Sequence, residues 1–408
     1  MKKLLILLLI IPVLFSCDEV NKSMENEKEQ AYLIILSLDG FRWDYTENAN
    51  TPTFDSLAKQ GVRAESLKPS FPTKTFPNHY SIATGLYPDH HGIVLNRFYA
   101  TDLGKNYSIS KRETIIDGDF YGGTPMWNVA ESQGMKSATL FWVGASADVN
   151  GMHSSHWSLY DEELSKSGRI DSISKWLNYE DNERPQLIMW YYHEPDATGH
   201  HFGPNSQERI NMVEEMDAFL NDFFIEMRKL PIFDNLNFII TSDHGMAQLS
   251  PEKVIILDEV VDTSDFKFWD GSNPVINFKV KDGRIDKVLN DLELNKGHLL
   301  FWERNKIPEE LHYGHNIRTH DITVTVDSGW SIYWSWKQGN SLGTHGYPNT
   351  CKDMHAIFYA AGPAFKNDYI QQTFNNVDIY PLVGEILDLK MPDSDGEIEN
   401  TKGMLKGN

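Results

Sequence analysis

The sequence predicts an α/β domain whose central sheet is mostly parallel, and three observations carry that expectation. The runs Tyr32 to Leu38, Leu187 to Tyr192 and Phe238 to Ser242 are almost continuously apolar, the signature of strands covered on both faces. Each leads directly into ligand-type residues: Asp39-Gly40, His193-Glu194-Pro195-Asp196 and Asp243-His244. Helical stretches with clear start and stop residues lie between them, and 408 residues at 40% apolar and 12% aromatic content can bury a large core. Open α/β sheets bind ligands beyond the carboxyl ends of their strands, so the acids and imidazoles are expected to meet at one edge.

At the start of the chain, Lys2 and Lys3 precede an apolar run from Leu4 to Phe15, then Ser16 and Cys17. The run is too short to span a bilayer comfortably, and a small residue stands directly before the cysteine. The pattern resembles a bacterial lipoprotein lipobox, in which cleavage precedes Cys17 and the new N-terminus carries acyl chains. Residues 1–16 are thus expected to be a signal peptide and Cys17 the lipidation site. Residues 17–30, polar and without apolar period, read as a flexible tether. The protein is expected to be exported and lipid-anchored in the bacterial cell envelope, periplasmic or at the cell surface.

The only other cysteine is Cys351, so a lipidated Cys17 leaves no intramolecular disulfide. Formal charge is −21, or −23 once residues 1–16 are removed, which argues against a broad grip on nucleic-acid backbone. A small phosphate ligand remains compatible, because bound cations reverse the local potential. No stable nucleic-acid partner is predicted, and oligomeric state is left open.

Helix signals follow the first strand in order. Thr51 and Pro52 read as N-cap and first helical residue of a helix closed by Gly61, and Thr124-Pro125 opens another by the same device, with Gly134 at its end. Pro77 fits the first turn of a helix running through His79, Tyr80, Ile82 and Ala83 to Gly85. A longer helix runs from about Ser206 to Arg228, with Ile210, Val213, Met216, Leu220 and Phe223 or Phe224 on one face. Residues 251–336 change texture to short β-like runs, 275–280 and 322–326, separated by a helical stretch at 285–294. They read as a small α+β cap inserted into a catalytic domain made of 31–250 and 337–395, followed by a polar, frayed tail at 396–408.

Asp196 and His200 are four apart, a spacing that lets both side chains point the same way from a helical turn. Asp243 and His244 are adjacent, and Gly245 allows the backbone to turn at the strand end and bring both toward a metal pair. His345 stands in Gly343-Thr344-His345-Gly346. One Asp after a strand is usually a helix cap, but four glycine-punctuated segments rich in ligands are hard to obtain as unrelated caps. Three Asp, three His and a hydroxyl are the inventory of a two-zinc hydrolase with a covalent intermediate. Thr75, before the Pro77 helix, would sit at the positive end of its dipole, where an anionic phosphate is also favoured. By chemistry alone Thr73 competes with it.

At this point a family resemblance is evident. Asp39-Gly40-Phe41-Arg42, Thr73 to His79, Thr84 to Pro88, His91-Gly92-Ile93, Glu194 to His200, Ser242 to Met246 and His345-Gly346-Tyr347, in order, resemble the nucleotide pyrophosphatase/phosphodiesterase family of the alkaline phosphatase superfamily. The resemblance runs from about Tyr32 to Phe365 and implies an alkaline-phosphatase-like sheet sandwiched by helices. It implies Thr75 as nucleophile, one Zn2+ on Asp196, His200 and His345, and a second on Asp39, Asp243 and His244 with the Thr75 oxygen. It further implies Asn96 as donor to a non-bridging phosphoryl oxygen, and in-line displacement through a phosphothreonine intermediate. His79, His193 and His201 read as supporting or surface groups.

Phe76 and Tyr160 correspond to the family's base-stacking residues, at about 1–3 kcal/mol per stacked base. Where many members have Phe-Trp-Pro-Gly, this chain has Phe141-Trp142-Val143-Gly144, which alters the pocket wall. The function implied is hydrolysis of nucleotide phosphodiester or pyrophosphate bonds to a nucleoside 5′-monophosphate. Two other readings use the same site: a phosphodiesterase for choline or glycerol head groups of lipids, and a non-catalytic surface-binding protein.

Overall fold

The computed structural model describes residues 30–407, so Cys17 and the expected signal peptide lie outside the described residues. The main sheet has eight strands in the order Tyr369–Gln371, Val62–Ala64, Phe358–Ala361, Leu236–Thr241, Tyr32–Leu38, Leu187–Tyr192, Ser137–Leu140 and His156–Ser158. All run in one direction except Phe358–Ala361, antiparallel to both neighbours. The three apolar runs are the centre of this sheet, with Tyr32–Leu38 between the other two.

Every residue of Tyr32–Leu38 is buried because both faces are covered. Leu33 and Ile35 join one apolar cluster with Phe71, Ile82 and Trp127; Ile34 and Leu36 join another with Phe54, Val213 and Leu220. That alternation is the two-residue period of a strand, and each such side chain contributes about 1.5–3 kcal/mol on burial. Parallel direction puts the carboxyl ends of Tyr32–Leu38, Leu187–Tyr192 and Leu236–Thr241 on one edge. The reversed strand Phe358–Ala361 begins at that edge, so the segment before it arrives there carrying His345.

Helix Gln207–Met227 is as expected, with the Ser206 hydroxyl accepting from Arg209 N at 3.1 Å, except that Ile210 is only half-buried. Helix Pro52–Gln60 corrects the sequence expectation about its cap. The Thr51 side chain makes no cap bond; the buried carboxylate of Asp217 on helix Gln207–Met227 accepts from Thr53 N and Phe54 N at 2.9 and 3.0 Å. Helix Met126–Ser132 starts one residue later than expected, because Pro125 has ψ 149° and serves as the cap. Helix Thr75–Thr84 has Pro77 in its first turn, as expected, where the missing N–H is harmless, and ends at Gly85.

Within 251–336, strands Phe266–Ser272, Val275–Val280, Ile322–Val326 and Leu299–Glu303 form an antiparallel sheet in that order. Helix Ile285–Leu294 packs Val288 and Leu292 into a core with Phe278 and Val324. The tail does not fray as expected: Asp395, directly before it, accepts from Tyr87 N at 2.7 Å, and Thr401, Met404 and Leu405 are buried. Its anchor stands 308 positions earlier in the chain, so no local pattern reveals it.

Asp217→Ala is expected to destabilise the fold by about 2 kcal/mol, since it orphans the helix N-terminus it caps from outside, and Asp217→Asn by about half as much. Urea unfolding checks this; equal stability of Asp217→Ala and the parent would contradict the assignment of the cap.

Candidate active site

The sequence-derived residues meet at the carboxyl edge in two groups, Asp196, His200 and His345, and Asp39, Asp243 and His244. Within each group the ligand atoms lie within 4.8 Å of one another. Asp39 continues the ladder of its strand, its N–H donating to Tyr192 O at 2.9 Å. Gly40 follows at φ +66°, and a Cβ there would stand 2.8 Å from Asp196 Cβ, so only glycine lets the two acids come together. Asp196 opens helix Asp196–Phe202, which carries His200 one turn on.

The three imidazoles share one arrangement. Nδ1 of His200 faces Gly343 O at 2.8 Å, that of His244 faces Gly245 O at 2.9 Å, and that of His345 faces Thr73 O at 2.7 Å. A carbonyl only accepts, so each Nδ1 carries the proton and each Nε2 presents a lone pair. Opposite them, Asp39 Oδ1, Asp196 Oδ1 and Asp243 Oδ2 are buried with no hydrogen-bond donor. Unpaired carboxylate oxygens facing imidazole lone pairs fit divalent cations, and the mixed nitrogen and oxygen donor set suits zinc.

Electrostatics agree. Burial, then the charges of Asp243 and Asp196, push the Asp39 carboxyl well above its usual range. Burial would also raise Asp243, but His244 and His79 override it and hold it well below, while, against burial, Asp243 in turn raises His244, a pairing in which a proton on His244 Nε2 takes the place a cation would occupy. The Tyr191 hydroxyl, raised by burial and by Asp39, stays protonated and donates to Asp39 Oδ2 at 2.7 Å. Burial depresses His345 far below an ordinary histidine, keeping it neutral.

Thr75 is the first residue of its helix, with its hydroxyl 3.3 Å from His244 Nε2. Thr73 is committed elsewhere: its hydroxyl donates to Tyr347 O at 3.0 Å and accepts from Gly346 N at 2.8 Å. Asn96 Oδ1 accepts from Phe76 N at 3.1 Å, which commits the amide oxygen and leaves the NH2 as the side chain's donor. Phe76 and Tyr160 line one cavity of about 230 Å³ with Phe141, Trp142, Val143 and Tyr191. A larger cavity of about 810 Å³ lies at the opposite sheet edge, between helices Pro52–Gln60 and Gln207–Met227, and contains none of these groups.

His79 supports the centre, with Nε2 2.8 Å from Ser37 Oγ and Nδ1 3.3 Å from Asp243 Oδ2. His193 stacks on Tyr192 and His201 is exposed against Phe202. Two residues escaped the sequence reading. Tyr191 hides inside an apolar strand, where its hydroxyl was the only signal. Lys74 is buried, donates to His345 O at 2.7 Å and Asn273 O at 2.9 Å, and is lowered by burial to about 7. A lone cation in the uncharged run Pro69 to His79 could have drawn attention to it.

The family described as type I phosphodiesterase / nucleotide pyrophosphatase matches residues 33–348. Human ectonucleotide pyrophosphatase/phosphodiesterase family member 5 is 32% identical over 398 residues, covering 97% of this chain and 83% of that protein. Human bis(5′-adenosyl)-triphosphatase ENPP4 is 37% identical over 378 residues, covering 91% and 82%. Among solved structures, murine ectonucleotide pyrophosphatase/phosphodiesterase 5 superposes with a TM-score of 0.88 at 33% identity, covering 92% of this chain and all of that one. An inactive threonine-to-alanine form of that murine protein, in complex with AMP, matches with the same TM-score over 93% of this chain.

Stripping divalent cations with a chelator is expected to lower the thermal midpoint by several degrees, and added zinc to restore it. Cation binding at a thousandfold excess over Kd is worth about 4 kcal/mol. A midpoint indifferent to both treatments would contradict a metal centre.

Proposed function

This chain belongs to the type I phosphodiesterase / nucleotide pyrophosphatase family, and from that premise we propose that it hydrolyses nucleotide phosphodiester or pyrophosphate bonds to a nucleoside 5′-monophosphate through a phosphothreonine intermediate. The single observation that carries the reading is the Thr75 hydroxyl at a helix N-terminus beside unpaired carboxylates and lone-pair imidazoles. Asp196, His200 and His345 would hold one Zn2+, and Asp39, Asp243 and His244 the other. When bound, the two cations supply the Lewis-acid charge that favours the Thr75 alkoxide and the departing oxygen.

The chain's own residues do the rest. Thr75 Oγ forms a bond to phosphorus as the bond to the leaving oxygen breaks on the opposite side. Water then forms a bond to the same phosphorus as the phosphorus–Oγ bond breaks, and a proton of that water returns to Oγ, releasing the monophosphate and restoring the hydroxyl. The positive end of the helix Thr75–Thr84 dipole favours the anion, and the Asn96 NH2 donates to a non-bridging oxygen. That donor is worth about 3 kcal/mol in the transition state.

Phe76 and Tyr160 would stack the base. The slot they line carries no charged side chain, which suits the flat, neutral face of a nucleobase. The triphosphatase name of one relative and the AMP bound by another support a nucleotide as substrate.

Thr75→Ala is expected to cut turnover of a dinucleoside polyphosphate by about 10³-fold or more, with melting and metal content unchanged. Retention of a tenth of the parent rate would overturn the covalent mechanism. On the parent enzyme, a choline phosphodiester turned over faster than the nucleotide diester would overturn the substrate assignment.

A further inference from the structure

The stretch from Gly92 to Asp102, which carries Asn96, is gripped by the inserted region. Arg318 Nη1 donates to Gly92 O at 2.9 Å and to Phe120 O at 2.7 Å. Its Nε and Nη2 pair with the two oxygens of Asp102 at 2.9 and 2.8 Å. One planar fork thus clamps the residue four positions before Asn96 and the turn of the hairpin that follows, Arg97–Ala100 with Lys105–Ser108.

Two further contacts come from the same side. The Tyr313 hydroxyl donates to Val94 O at 3.3 Å. Asp270 Oδ2 accepts from Tyr99 N at 2.7 Å and is itself held by His320 Nε2 at 2.6 Å.

The geometry shows that this clamp is more than incidental packing. The Arg318 side chain is only 8% exposed. Gly92 has φ +79°, and a Cβ there would stand 2.7 Å from Nη1, so Arg318 reaches its carbonyl only because position 92 is glycine. His320, two residues on, is held at φ +62°, a conformation side chains avoid, while its ring stays buried against Asp270. From the other side, Phe76 N fixes the Asn96 amide oxygen and Ile109 N donates to Asn96 O, both at 3.1 Å.

We propose that Arg318 is a positioning residue for Asn96, through which the inserted region sets the phosphoryl-oxygen donor in place. The proposal rests on the reading of Asn96 as that donor. Arg318 touches neither substrate nor metal ligands; it holds the backbone from which Asn96 projects. Displacing a transition-state donor by a few tenths of an ångström lowers kcat and leaves substrate affinity largely intact.

Arg318→Lys and Asp102→Asn, each alone and combined with Asn96→Ala, test this on a nucleotide diester, with melting and metal content measured alongside. Arg318→Lys is expected to lower kcat about tenfold with KM within about twofold. In the Asn96→Ala background the same change is expected to cost less than about twofold, since the group it positions is gone. Equal losses in both backgrounds, or unchanged kcat for both single variants, would overturn the proposal. Asn96→Ala with undiminished kcat would overturn the reading of Asn96 itself, an outcome seen before any change at Arg318. Should Arg318→Lys not fold, Asp102→Asn, at the exposed end of the same clamp, carries the comparison.

Discussion

Asp39, Asp196 and Asp243 crowd together at one edge of a buried sheet, and the repulsion among them is the constraint around which the structure is arranged. In a low-dielectric site such crowding is costly unless positive charge compensates it. The compensation present in the chain is partial: Tyr191 satisfies one oxygen of Asp39, and His79 and His244 approach Asp243. One oxygen of each carboxylate is left without a donor, and those oxygens define where cations belong.

The surrounding fold holds this unfavourable arrangement in place. Parallel strands deliver the acids to a common edge, and the single reversed strand brings in His345. Backbone carbonyls of Thr73, Gly245 and Gly343 fix the imidazole tautomers, so the lone pairs are aimed before any ion binds. The helix that begins at Thr75 adds positive potential, and the inserted region braces the segment bearing Asn96. The two metal-type ligand groups and the uncharged slot of Phe76, Val143 and Tyr160 are thus built from separate parts of the chain.

Much of this was legible in the sequence, for identifiable reasons. Doubly covered strands leave uninterrupted apolar runs, so Tyr32–Leu38 and its neighbours could be placed with the acids at their ends. In the inserted region the strands Val275–Val280 and Ile322–Val326 and the helix Ile285–Leu294 coincided with expectation because their periodicity is local, whereas Phe266–Ser272 and Leu299–Glu303 were not foreseen. What escaped was made by distant partners. Asp217 caps a helix more than 160 positions away, Asp395 anchors the tail near Tyr87, and Arg318 reaches back to Gly92. A charged residue on an amphipathic helix reads as a surface group until its partner is known. The choice between Thr73 and Thr75 was likewise beyond composition, since it depends on which hydroxyl the loop of Tyr347 already occupies.

The most direct measurement is anomalous diffraction from crystals of the zinc-loaded protein, recorded on both sides of the zinc absorption edge. Two zinc peaks are predicted, one bounded by Asp196, His200 and His345 and the other by Asp39, Asp243 and His244, with Thr75 Oγ beside the second. A single peak, or zinc bound away from these six residues, would contradict the account.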